Sequence, residues 1–189
     1  MKKRGFLGGT FDPPHKGHLF LAKSALNKLE LDELIFCVAN QSPSKINSPP
    51  IASGKERLEM VRIMIKHHKK MRVSDFEVRK GGVSYTIDLI DELHRHNPDD
   101  ELFMIISNDV FNELHSFKEI QKIIKMCKIA VGARSSVKLK TSFAHVFFEK
   151  NFLEISSRQL KEALSKKANI AKFLDGKVFD FISEKHLYF

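Results

Sequence analysis

Short apolar runs alternate with amphipathic stretches along the whole chain, and this alternation restricts the fold more than any other feature. GFLGG (5–9), ELIFCVA (33–39), MRVSDFEV (71–78), ELFMIIS (101–107), CKIAVGA (127–133) and HVFFE (145–149) each have the length of a buried strand. Between them apolar residues recur at helical spacing. Leu19, Ala22, Ala25, Leu26 and Leu29 mark one helix; Leu58, Val61 and Ile65, with Met64 beside them, mark a second that Ser53 can cap. Ile87, Ile90 and Leu93 mark a third, opened by Ser84 and stopped at the Asn97-Pro98 turn. Two closing helices are expected at roughly 156–166 and 173–185. Strands alternating with helices imply a three-layer α/β fold of Rossmann type, with a mostly parallel sheet and helices on both faces. No repeat or linker divides the chain, so one domain over 1–189 is expected. Ligands of such sheets bind beyond the carboxyl ends of the strands, where the strand order reverses.

Composition removes several classes of function. No apolar run approaches the roughly 20 residues of a membrane span. The start, MKKRGFLGGTFD, begins like a signal peptide but breaks at its glycines and Asp12, so a soluble cytoplasmic protein is expected. Cys37 and Cys127 each sit in an apolar strand-like run and read as inert core thiols. The net charge of +9 calls for an anionic partner. Its clusters, HHKKMR (67–72) and RSSVKLK (134–140), lack the interleaved aromatics of a single-strand binding groove, so solvated surface rather than nucleic acid is expected there, and HRH (94–96) reads as a solvated helix end.

The stretch LGGTFDPPHKGH (7–18) lies where the fold argument puts a ligand. Gly8 and Gly9 follow the first strand and let backbone N–H groups approach an anion. Pro14 holds Pro13 extended, so the next helix cannot begin before about Pro14. His15 and His18 then lie in or next to its first turn and share one face, with Gly17 between them and the positive end of the helix dipole behind them. An oligophosphate suits that place. Two histidines three apart could hold zinc, but no third ligand at ordinary spacing follows. The glycines form neither Gly-x-Gly-x-x-Gly nor a P-loop.

GGTFDPPHKGH resembles the signature of the HxGH nucleotidyltransferase superfamily. Further segments are similar, in order and spacing, to bacterial nicotinate-nucleotide adenylyltransferases: SPSK (42–45), KERLEM (55–60), VSDFEVRKGGVSYTIDLIDEL (73–93), IISNDVFNELHSF (105–117), EISSRQLKEAL (154–164) and VFDFISEKHLY (178–188). The resemblance implies adenylyl transfer from ATP to nicotinate mononucleotide, giving deamido-NAD and pyrophosphate. It implies that His15 and His18 are the catalytic pair. Gly8, Gly9, Thr10, Phe11, Asp109, Ile155, Ser156, Ser157, Arg158 and Lys161 would bind ATP and its phosphates, with Asp109 accepting from a ribose hydroxyl. Lys45, Ser84, Tyr85, Thr86, Phe117 and Arg134 would bind the mononucleotide. Mg2+ would bridge ATP oxygens, mostly through water, with no metal cage made by the protein.

The chain departs from the family pattern at several points. Ser107 and Asn108 stand for Gly-Ala, Phe117 for a tryptophan, and Ser135-Ser136 for Pro-Gly. Arg158 stands for a threonine and Lys161 for a phosphate-binding arginine; lysine contacts phosphate as a point charge without bidentate geometry. Nicotinamide mononucleotide or another phosphate acceptor such as phosphopantetheine stays open as the substrate. So does a degenerate member that binds nucleotides or RNA without catalysis. The sequence leaves the oligomeric state open.

Overall fold

Each pair of neighbouring strands runs parallel, in the order β3-β2-β1-β4-β5-β6. The structure is a computed structural model and describes residues 1–134, 144–149, 155–166, 170 and 172–189, with side chains left out at 133, 134 and 144–149. The strands are β1 (Lys3–Gly9), β2 (Glu33–Val38), β3 (Met71–Ser74), β4 (Glu101–Ser107), β5 (Lys128–Arg134) and β6 (Ala144–Glu149). The helices are α1 (Lys16–Lys28), α2 (Gly54–Ile65), α3 (Phe76–Lys80), α4 (Thr86–His96), α5 (Asn108–Glu113), α6 (Ile120–Met126), α7 (Ser157–Ser165) and α8 (Gly176–Glu184).

The period-two pattern of the strands sends successive side chains into two cores, one on each face of the sheet. Leu7, Leu34, Phe36 and Val38 face the core built with α1, α2, α7 and α8. Phe6, Ile35, Cys37, Met104 and Ile106 face the core built with α4 and α6. This is the three-layer arrangement that the alternation of strands and helices implies. Among the described residues no helix is long and apolar enough to cross a membrane.

Four local expectations are corrected. MRVSDFEV is a strand only to Ser74: the Ser74 hydroxyl accepts from the Phe76 N–H at 3.3 Å, and α3 follows. The helix expected to open at Ser84 starts at Thr86 with Tyr85 as its N-cap, because the Ser84 hydroxyl is turned inward to accept from the Asn40 N–H at 2.9 Å. Cys127 ends α6 one residue before β5 rather than lying in the strand. Between β4 and β5, where none of the expected helices falls, the chain makes α5, a 3-10 turn at Leu114–Ser116, and α6. Both thiols are buried; burial pushes Cys37 well up and Cys127 to about 12, which keeps them protonated and unreactive.

The sheet order reverses between β1 and β4, and there the strands part. Their register ends at Phe6 opposite Met104, although β1 runs on to Gly9 and β4 to Ser107. The unpaired ends open a crevice at the carboxyl edge, the place such folds use for ligands.

Candidate active site

The crevice widens into a cleft of about 590 Å3 floored by Phe6, Gly8, Gly9, Met104, Ile105 and Ile106. Ser42 to Lys45 wall one side, Glu77 and Ser84 to Thr86 a second, and Glu113 with Ser116 to Lys118 a third. The sequence-derived residues Gly8, Gly9, Thr10, Lys45, Ser84, Tyr85, Thr86 and Phe117 therefore line one space.

The two glycines act differently. A Cβ at Gly8 would meet nothing within 4 Å, so its bare face opens on the cleft. A Cβ at Gly9 would stand 2.9 Å from Phe11 Cζ, because Phe11 adopts a left-handed backbone (φ 51°) and folds its ring over that residue. The Phe11 ring is buried and lies edge-on to His18, with centroids 4.9 Å apart. Phe11 thus shapes the site from within the core, without reaching into the cleft by its side chain.

His15 is the N-cap of α1 and His18 sits in its first turn. The His15 N–H donates to His18 Nδ1 at 3.2 Å, which leaves the proton of the neutral His18 ring on Nε2. The two imidazoles stack with centroids 3.7 Å apart. Burial, the His15 ring and the Lys45 ammonium all hold His18 well below the usual histidine range, so it is a neutral donor at pH 7.

The N-terminal turn of α7 abuts the same stretch. The Ser157 hydroxyl donates to the Pro13 carbonyl at 2.9 Å, bringing the positive ends of α1 and α7 together. Ser156 caps α7, accepting from the Gln159 N–H at 3.2 Å, so its hydroxyl is engaged in the cap. Arg158 is exposed in the first turn, and Ile155 packs against the core. Asp109 lies in the first turn of α5, exposed, at the end of β4. Arg134 ends β5; its side chain and residues Ser135 and Ser136 lie outside the described residues.

Lys45 Nζ approaches the Thr10 hydroxyl at 3.5 Å from across the cleft. Burial and the nearby Lys161 ammonium lower its pKa, while Asp12 and Glu113 oppose the shift. Tyr85 carries the Lys118 ammonium 4.6 Å above its ring centroid, and Phe117 is half-buried beside it. No group of three or more His, Cys, Asp or Glu among the described residues could hold a metal ion.

Residues 6–163 match the Cytidylyltransferase-like family. A Shouchella clausii protein named "Probable nicotinate-nucleotide adenylyltransferase" is 36% identical over 188 residues, covering 100% of this chain and 97% of its own. A Clostridium tetani protein of the same name is 31% identical over 200 residues and is covered in full, as is this chain. The chain belongs to the nicotinate-nucleotide adenylyltransferase family. In fold it is similar to the Plasmodium falciparum nicotinic acid mononucleotide adenylyltransferase solved in complex with NaAD, with a TM-score of 0.85 at 19% identity over 100% of this chain and 98% of that one.

Two residues that hold this family member's site together were not assigned a role from the sequence. Asp12, 2% exposed, accepts from the Ile51 and Ala52 N–H groups at 3.0 Å, Lys161 Nζ at 3.0 Å and the Tyr188 hydroxyl at 2.7 Å. Arg57, also 2% exposed, donates to the carbonyls of Thr10, Ala39, Asn40 and Ala52. It pins the chain just beyond β1 and β2, where the cleft floor begins. One signal was available: Arg57 falls on the same helical stripe as Val61 and Met64, and a charge on an apolar stripe needs buried partners.

Proposed function

We infer that the protein transfers the adenylyl group of ATP to the phosphate of nicotinate mononucleotide, releasing pyrophosphate and forming deamido-NAD. One observation carries this reading. The β1 glycines of the floor and Tyr85, Thr86 and Phe117 of two facing walls belong to a single cleft at the strand-order reversal, as a reaction between two nucleotides requires. The full-length relatives named for this reaction support it.

A phosphate oxygen of the mononucleotide attacks the α-phosphorus of ATP in line; a P–O bond forms there as the bond to the β-phosphate bridge oxygen breaks. With a second pKa of about 6, the attacking phosphate is largely dianionic at pH 7, so the protein supplies no general base. Its task is to position two polyanions and offset the charge that develops on the leaving pyrophosphate. In this reading His18 donates from Nε2 to the ATP phosphates, His15 works beside it, and the backbone of Gly8, Gly9, Thr10 and Phe11 lies along the nucleotides. The α7 start at Ile155, Ser156, Ser157 and Arg158 offers N–H groups to the phosphates, and Lys45 and Lys161 add positive charge. Asp109 accepts from a ribose hydroxyl. Ser84, Tyr85, Thr86, Phe117 and Arg134 hold the mononucleotide. ATP enters as its Mg2+ complex, the ion held by phosphate oxygens and water. The whole chain, 1–189, serves this one site, since Tyr188 closes on Asp12 at its base.

Nicotinate mononucleotide, nicotinamide mononucleotide and phosphopantetheine offered side by side with ATP and Mg2+ test the assignment. The expected order of kcat/KM places the two pyridine nucleotides first and phosphopantetheine without measurable turnover. Preference for phosphopantetheine would overturn it.

A further inference from the structure

Glu77 is a titratable group that the reaction as described does not use, and it is one of the residues lining the cleft. It is 6% exposed and sits in the short α3, whose start at Phe76 replaces the strand expected there. The Ser84 hydroxyl contacts it, and Ser84 immediately precedes Tyr85 and Thr86. Other charged or titratable groups also bear on it. Lys80 of its own helix and Asp88 of α4 form an ion pair beside it, and the Cys37 thiol faces it from β2. Across the cleft stand Glu113 and Lys118.

We propose that Glu77 is an acceptor-specificity residue whose ionisation discriminates against an acid, relative to an amide, on the pyridine ring. This rests on the adenylyl-transfer reading. A negative Glu77 in a low-dielectric wall repels a nicotinate carboxylate and is indifferent to, or accepts from, a nicotinamide amide. A neutral Glu77 removes the repulsion and can donate to the acid. Burial raises the carboxyl to about 7, against the opposing effects of Ser84 and Lys80, so this difference falls within the working pH range.

The readout is the ratio of kcat/KM for nicotinate mononucleotide to that for nicotinamide mononucleotide, measured from pH 6 to 8.5. Titrations common to both reactions, including the acceptor phosphate, His18 and ATP, cancel in the ratio. The ratio should fall on the order of tenfold as pH rises through about 7. In Glu77→Gln it should be flat and favour the acid throughout. Lys80→Met, which lies outside the cleft, should move the midpoint upward by removing a charge that favours the carboxylate. A thermal melt identifies any variant that fails to fold, and the Lys80→Met midpoint then decides in its place. A flat ratio in the wild type, a pH dependence that survives in Glu77→Gln, or a midpoint unmoved in Lys80→Met would overturn the inference while leaving adenylyl transfer standing. Absence of turnover with both acceptors would overturn the adenylyl-transfer reading itself.

Discussion

The Asp12 carboxylate and the Tyr188 hydroxyl, 176 residues apart in sequence, meet at 2.7 Å in the buried base of the site. The contact ties the loop after β1 to the last residues of the chain, and Lys161 and the 51–52 backbone complete it. Tyr188→Phe removes one hydrogen bond to a charged group and should cost about 1.5–3 kcal/mol in urea unfolding. Asp12→Ala strands four donors and should cost more. Burial raises the Asp12 pKa, but Tyr188, the two N–H groups and Lys161 together bring it below its ordinary 3.8. Its stabilisation is therefore present above about pH 4 and is lost as pH falls through the lower folded-state value. Acid unfolding of Tyr188→Phe should begin at higher pH than that of the wild type.

Arg57 offers a second test of how the cleft floor is held. Arg57→Met leaves the Thr10, Ala39, Asn40 and Ala52 carbonyls without their donor, at a cost of about 3 kcal/mol or more. Arg57→Lys should not restore stability, since one ammonium cannot span four carbonyls around a planar fork. Chemical denaturation of both variants checks this.

His18 is expected to act as a neutral donor. Its pKa lies well below the ordinary 6.5, first through burial and then through His15 and Lys45. The pH profile of kcat/KM for ATP between 6 and 8 should therefore carry no inflection from His18. A histidine inflection in that range that disappears in His18→Ala would contradict the assignment.

Asn108 carries an unusual cost. Its Oδ1 is buried and finds no hydrogen-bond partner among the described residues, at the end of β4 where the family pattern has alanine. Asn108→Ala should leave the ligand-free protein equally stable or up to about 1 kcal/mol more stable. If the amide serves a bound nucleotide, KM for a substrate rises in the same variant. Paired thermal melts and saturation kinetics read both effects.

The parts of the fold and site legible in the sequence were those set by local spacing. The apolar runs fixed five of the six strands closely, Pro13-Pro14 placed the start of α1, and the glycines with His15 and His18 marked the ligand edge. Val73, Phe76 and Val78 also looked like a strand, because apolar content alone cannot tell a short helix from an extended run. The helical turn of α3 from Phe76 buries Glu77, which no local pattern records. Asp12, Arg57 and Lys161 gain their roles from partners 5 to 176 residues away, and only the folded chain brings those together. The same holds for the Lys161–Asp12 ion pair, which engages the lysine standing where the family has a phosphate-binding arginine.

The most direct test of the central claim is the formation of product from ATP, Mg2+ and nicotinate mononucleotide, with pyrophosphate and deamido-NAD quantified together. The wild type should yield equal amounts of the two, with none in the absence of acceptor. A folded His18→Ala variant should show a kcat lower by about 100-fold or more, as for loss of a donor to developing charge. Tight nucleotide binding without any pyrophosphate release, from wild-type protein given either pyridine mononucleotide, would contradict it.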